Sequence, residues 1–323
     1  MIYHIFRQYP NVMMAVGSFI TYMLTIISTK KFMHKLPADE GRAFAVDGHL
    51  SHGKPRGAGV IFIIDFLIGI MLFSPITLEY TIYVALVFIE MLTGYLDDRA
   101  TVSWGRLKKG LLDLFVAVAL AVACLHYNGT DIYDIFTQTT IVLPYWFYFI
   151  LIIAITWCSI NVTNCADGVD GLSGTLTIIT LLSFYLTDFR FITEEHFSYM
   201  IVFFVAGILG YLWFNATPSF VLMGDAGSRA MGIFIAIVAV KSDVPILYFV
   251  FALLLIIDGG LGLFKVSVIK ITHNKDFMKK LRTPIHDHVR KNIEVPWSNT
   301  QVVMRFAIIQ AGVSLLTIFI ALR

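Results

Sequence analysis

Residues 141–171 read IVLPYWFYFILIIAITWCSINVTNCADGVDG. The first twenty carry no charged side chain, and a helix of that length spans the roughly 30 Å hydrocarbon core of a bilayer. The remainder carries Asn161, Asn164, Asp167 and Asp170, one polar side chain every three residues. An apolar span that runs directly into such a motif puts chemistry at a membrane surface.

The composition extends this reading to the whole chain. With 58% hydrophobic residues, 14% charged residues and a mean hydropathy of +0.78 over 323 residues, the chain is too apolar for one water-soluble core of this size. Ten apolar stretches of spanning or near-spanning length fall near residues 11–29, 57–76, 79–96, 110–126, 141–160, 172–189, 199–215, 230–240, 244–271 and 302–322, the one at 230–240 being short. The expected fold is an all-α integral membrane protein of ten transmembrane helices, a single polytopic domain over residues 1–323 without internal repeats or a dividing linker. No cleavable signal peptide is expected, because the first apolar run begins at Asn11, has spanning length and lacks a small-residue cleavage site behind it. Cys124, Cys158 and Cys165 show no metal-ligand spacing and read as packing residues.

Lys and Arg orient the chain, since short cytoplasmic loops retain them. Seventeen of the 24 fall in the odd-numbered gaps between stretches, against four in the even-numbered gaps and termini. Both termini are therefore expected outside the cytoplasm, with the polar motifs together on the cytoplasmic face. The net charge of +2 selects no partner, and nothing in the chain points to nucleic acid.

Gly94-Tyr95-Leu96-Asp97-Asp98 ends the third stretch with two adjacent carboxylates. Neighbouring anions repel, which favours a cation beside them, and magnesium is commonly held by one or two carboxylates together with phosphate and water. The motif from Asn161 to Gly171 has helical spacing, but Gly168 and Gly171 favour a turn that presents side chains to a ligand. It is no EF-hand: Val169 and Gly171 stand where oxygen ligands are needed, and no Glu closes the loop. Met223-Gly224-Asp225-Ala226-Gly227-Ser228 reads as a turn whose glycines admit close approach to Asp225. Arg282, His286, His288, Arg290 and Lys291 form a cationic window suited to diphosphate or an anionic bilayer surface. Asp287 between the histidines argues against zinc, and no Gly-x-x-x-x-Gly-Lys-Ser/Thr loop occurs.

Taken in order, several segments resemble the polyprenyl-phosphate sugar-1-phosphate transferase superfamily, specifically its phospho-N-acetylmuramoyl-pentapeptide transferase branch. They are Asp47-Gly48, Ser51-His52 with Pro55 ahead of Gly59, Gly94 through Asp98, Arg106-Leu107-Lys108, Asn161 through Gly171, Trp213-Phe214-Asn215, Met223 through Ser228, Pro284-Ile285-His286 and Val303-Met304-Arg305-Phe306. The resemblance implies a bacterial plasma-membrane enzyme that joins undecaprenyl phosphate to the β-phosphorus of UDP-N-acetylmuramoyl-pentapeptide and releases UMP. It further implies Mg2+ at Asp225, Asp97 and Asp98, with Lys108 and His286 joining these three in catalysis. Asn161, Asn164, Asp167, Gly168, Asp170, Asn215, His288 and His52 are implied in substrate binding, and a homodimer as the assembly. Phosphoryl transfer asks a protein for positioning and charge neutralisation more than for covalent chemistry. Direct attack by the lipid phosphate is favoured, while proton removal by Asp97 and a covalent intermediate at Asp98 both stay open.

Three positions depart from the family pattern. The usual triple histidine reads His286-Asp287-His288, Leu222 stands where an aromatic often stacks on uracil, and Ala58-Gly59 replaces Gly-Gly. The stretch from Val244 to Ile271 would extend about 42 Å as one helix, so a bend is expected at Asp258-Gly259-Gly260, with Asp258 facing protein or water. The sister branch that transfers N-acetylglucosamine-1-phosphate shares the acidic motifs and stands as the alternative. Ser51-His52, Pro284-Ile285-His286 and Arg305-Phe306 favour the peptide-bearing substrate. A secondary transporter fits less well, since it would carry polar sites at mid-membrane and often inverted repeats.

Overall fold

The structure, a computed structural model, describes residues 2–6, 8–41, 46, 48–100, 102, 104–135, 137–187 and 197–321. Arg7, Arg42, Asp47, Arg190 and Arg323, which entered the sequence reading, lie outside the described residues. Each apolar stretch contains helix among its described residues. In chain order these are α1 (Pro10–Phe32), α2 (Gly59–Phe73), α3 (Leu78–Asp98), α4 (Arg106–Asn128), α5 (Tyr145–Ala166), α6 (Leu172–Thr187), α7 (Phe197–Asn215), α8 (Gly224–Lys241), the bent α9 (Pro245–Phe251 and Leu253–Thr272) and α10 (Asn299–Ala321). Among the described residues six helices, α1, α3, α4, α5, α7 and α10, are long and apolar enough to cross a membrane, and α9 makes a seventh if its two halves form one span. α2 and α6 are apolar but shorter.

The outer surface suits lipid rather than water. Phe19, Met71, Phe115, Trp146, Leu315 and Phe319 are exposed. In α10 only 22% of the most apolar window is buried, so most of its apolar surface faces outward.

α8 is the opposite case. Every residue from Gly224 to Val240 is buried, as expected of a helix enclosed on all sides, and it packs against α3, α5, α2 and α6. The short stretch at 230–240 is thus the second half of the central helix. Asp225 and Arg229, which look like loop residues, occupy its first turns. A Cβ on Gly94 of α3 would collide with the Asp225 carbonyl, and one on Gly59 of α2 with the Gly227 backbone. Glycine at these two positions lets α2 and α3 close on the start of α8. Farther along, Phe62 and Phe66 of α2, Phe204 of α7 and Phe234 of α8 form one aromatic cluster, with Phe204 and Phe234 stacked at 3.9 Å.

Three local differences from the sequence reading have physical causes. A hairpin of β1 (Asp131–Asp134) and β2 (Thr139–Val142) interrupts the all-α expectation. The β-branched run Thr139-Thr140-Ile141-Val142 favours strand, and Pro144 starts α5 only at Tyr145. The motif at 161–171 is divided, helical through Ala166 and turn from Asp167 onward. α9 bends by 64° at Ala252, not at Gly259-Gly260, where Ile256–Gly260 makes a π-helical turn instead. Asp258 is fully buried inside the protein.

Candidate active site

Three carboxylates and two cations meet where α3 and α5 end and α4 and α8 begin. Arg56, in the segment before α2, places Nη2 3.0 Å from Asp98 Oδ1 and 3.5 Å from Asp225 Oδ1, and Nη1 3.3 Å from Asp39 Oδ1. Lys109, in the first turn of α4, places Nζ 2.5 Å from Asp97 Oδ2 and 2.9 Å from Asp225 Oδ2. Consecutive helical residues point about 100° apart. Asp97 and Asp98 therefore diverge and reach Asp225 through different cations. Backbone amides complete the set: Ala226 N donates to Asp98 Oδ2 at 3.2 Å, and Trp104 N to Asp97 Oδ1 at 2.6 Å. Burial alone would lower the pKa of Arg56, but Asp98, Asp225 and Asp39 outweigh it and raise it, so the guanidinium stays charged.

This geometry bears on the expected metal site. Among the described residues no three His, Cys, Asp or Glu side chains make a set that could hold a metal ion. In this structure Lys109 stands between Asp97 and Asp225, so the three carboxylates are not gathered at one point. Asp98 Oδ1 is buried and makes no aligned hydrogen bond even though Arg56 is close. Asp98 and Asp225 thus offer hard oxygen donors that fit magnesium, with phosphate and water completing its shell.

Beside this cluster opens a cavity of about 700 Å³, a volume usual for small-molecule sites. Asp167, Gly168, Asp170, Asn215 and His286 line it together with Lys54, Arg56 and Arg290. Most of their polar atoms are already tied to the fold. Asp167 Oδ1 accepts from Ser173 Oγ at 2.9 Å, and Asp170 Oδ2 from Ser219 N at 3.2 Å. Asn215 staples the turn to α7, accepting from Gly171 N at 2.8 Å and donating to Val221 O at 2.9 Å.

Of the other sequence candidates, Asn164 also touches the cluster, its side chain hydrogen-bonding Asp225, while most of the rest lie elsewhere. Asn164 Nδ2 donates to Ser228 Oγ at 2.9 Å, joining α5 to α8. Asn161 Nδ2 donates to Asp113 Oδ2 at 3.1 Å, one turn deeper, where Arg229 pairs with both Asp113 and Glu90. Lys108 lies 3.2 Å over the Trp104 ring, so Lys109 takes the position beside the carboxylates. His288 Nδ1 accepts from Arg282 N at 3.2 Å, and His52 is exposed; neither lines the cavity. Leu222 does line it, and its backbone pairs with Pro55, Gly57 and Ala58. Arg56 and Lys109 entered the sequence reading only as loop charges, although each adjoins a motif residue, Pro55 or Lys108. Asp39 and Arg229 carried no signal beyond their charge.

Comparison with known proteins places the chain in a family. Residues 80–243 match the family described as glycosyl transferase family 4. The chain is 39% identical to phospho-N-acetylmuramoyl-pentapeptide-transferase of Treponema pallidum (strain Nichols), over 95% of this chain and 88% of that protein. Proteins of the same name from Cutibacterium acnes and Clostridium acetobutylicum are 27% and 26% identical, over 88% and 90% of this chain and 90% and 93% of theirs. With identity sustained across nearly its whole length and the acidic motifs gathered at one end of its bundle, the chain belongs to the phospho-N-acetylmuramoyl-pentapeptide-transferase branch of glycosyl transferase family 4.

Proposed function

We propose that this protein transfers phospho-N-acetylmuramoyl-pentapeptide from UDP-N-acetylmuramoyl-pentapeptide to undecaprenyl phosphate, giving the lipid-linked sugar diphosphate and UMP. The observation that carries the reading is the meeting of Asp97, Asp98 and Asp225 from two helices, threaded by Arg56 and Lys109, at the edge of the cavity. Lys54, Arg56, Arg290 and His286 supply positive or donor groups along the cavity wall for the sugar diphosphate. Asp98 and Asp225 would hold Mg2+, which when bound cancels repulsion between the two anionic reactants and stabilises departing UMP. Arg56, on both carboxylates, and Lys109, on Asp225, hold them in position. An oxygen of the lipid phosphate forms the new bond to the β-phosphorus, and the bond from that phosphorus to the bridging oxygen breaks, leaving both electrons on UMP.

In this reading all ten helices cross the bilayer, both termini lie outside the cytoplasm, and the site opens to the cytoplasm of a bacterial inner membrane. The clustering of site residues at one end of the bundle and the basic residues in the odd-numbered loops support this. The homodimer rests on the family resemblance alone. The N-acetylglucosamine alternative is not favoured, since the relatives above carry the peptide-bearing name. Purified protein offered both UDP-sugars with undecaprenyl phosphate should release UMP with the muramoyl-pentapeptide substrate. Product from UDP-N-acetylglucosamine alone would overturn the assignment.

A further inference from the structure

His286 is the histidine that reaches the cavity, and a buried carboxylate stands behind it. Asp258 Oδ1 accepts the His286 backbone N–H at 2.7 Å, and Asp258 Oδ2 lies 2.7 Å from His286 Nδ1. Asp258 is 0% exposed and His286 3%. The π-helical turn at Ile256–Gly260 sets this carboxylate, held against α5 where Gly259 leaves no room for a Cβ beside the Val162 backbone. On the far side of the ring, Nε2 faces Gly168, where a Cβ would collide with it, and lies 3.9 Å from Asp287 Oδ1.

We propose that Asp258 is a positioning residue for His286, fixing its imidazole with Nδ1 protonated so that Nε2 alone is presented to the sugar-diphosphate cavity. A carboxylate offers only acceptors, and here both oxygens are used: one by a backbone N–H, which can only donate, the other by the ring. Nδ1 must therefore carry the proton. Nε2 is left to meet the substrate, and a proton added there faces a diphosphate oxygen with Asp258 balancing the ring's charge. An amide at position 258 has one acceptor and fails whichever way it is turned: either the backbone N–H or the ring loses its partner, and in the latter case the ring proton moves to Nε2.

The proposal rests on the reading of His286 as a substrate ligand, and the test separates the two. In the full-length protein in lipid nanodiscs, 15N-histidine spectra, with the His286 signal assigned by its loss in His286→Gln, should show Nδ1 protonated. Asp258→Asn should alter that signal and lower kcat by about 100-fold, while Asp258→Asn combined with His286→Gln should be no slower than His286→Gln alone. A wild-type ring protonated only at Nε2, an unchanged signal in Asp258→Asn, or losses that multiply in the double variant would each overturn the positioning role. Full turnover in His286→Gln would instead overturn the reading of His286 as a substrate ligand, while the spectra would still uphold or sink the Asp258–His286 coupling. The wild-type spectrum decides the tautomer even if Asp258→Asn does not fold.

Discussion

Asp98 and Asp225 face one another across Arg56, and Asp97 and Asp225 across Lys109. Because each of these carboxylates also partners a half-buried cation, replacing one disturbs packing as well as chemistry. The adjacent lysines make the sharpest test at this scale. Lys109→Met should reduce turnover by about 100-fold or more, because Asp97 and Asp225 would then repel unscreened. Lys108→Met removes a cation resting on Trp104 and should change turnover by no more than about threefold, near the ~0.5–1 kcal/mol of such a contact. Initial rates of UMP release compare the two, and a larger loss at Lys108 would contradict the geometry. The acids were legible in the sequence because paired carboxylates at a helix end are conspicuous. The choice between Lys108 and Lys109 was not, since one residue of helical rotation swings a side chain by about 100° and sequence does not say where the helix faces.

Among the elements, α8 was the hardest to read. Its first two turns carry Asp225 and Arg229, and charges inside a buried helix look like a loop until their partners are seen. Arg229 bridges Glu90 of α3 and Asp113 of α4, and Asn161 of α5 caps Asp113. Four helices are thus tied together one turn beneath the site. Arg229→Met would leave two buried carboxylates uncompensated, a loss of about 3–5 kcal/mol. Thermal unfolding in detergent should show a clear fall in Tm, and an unchanged Tm would contradict the pairing. The hairpin and the bend of α9 escaped the sequence for a related reason. Hydropathy marks where apolar chain runs but not how it is shaped, so Ile141 and Val142 of β2 merged with the span that follows and the expected kink was placed on the glycine pair rather than at Ala252.

Across the whole molecule, apolar length foreshadowed a mostly helical membrane protein, of which six helices among the described residues are long and apolar enough to span. Distances were not foreshadowed. Nothing in the order of residues says that Gly59 and Gly94 let α2 and α3 close on α8, yet that approach brings Asp98 to Asp225. At the far end, Lys241 joins α8 to α3 and α4 by meeting Glu79 Oε1 at 3.1 Å and donating to Asn128 Oδ1 at 2.7 Å, so the bundle is closed there by structural contacts. The decisive measurement is UMP release by purified protein from UDP-N-acetylmuramoyl-pentapeptide and undecaprenyl phosphate across a magnesium titration, with Asp98→Asn and Asp225→Asn alongside. Wild-type turnover should require magnesium and both variants should be inactive at saturating metal; near-normal turnover by either variant, or by wild type stripped of divalent ions, would contradict a site built on these two carboxylates.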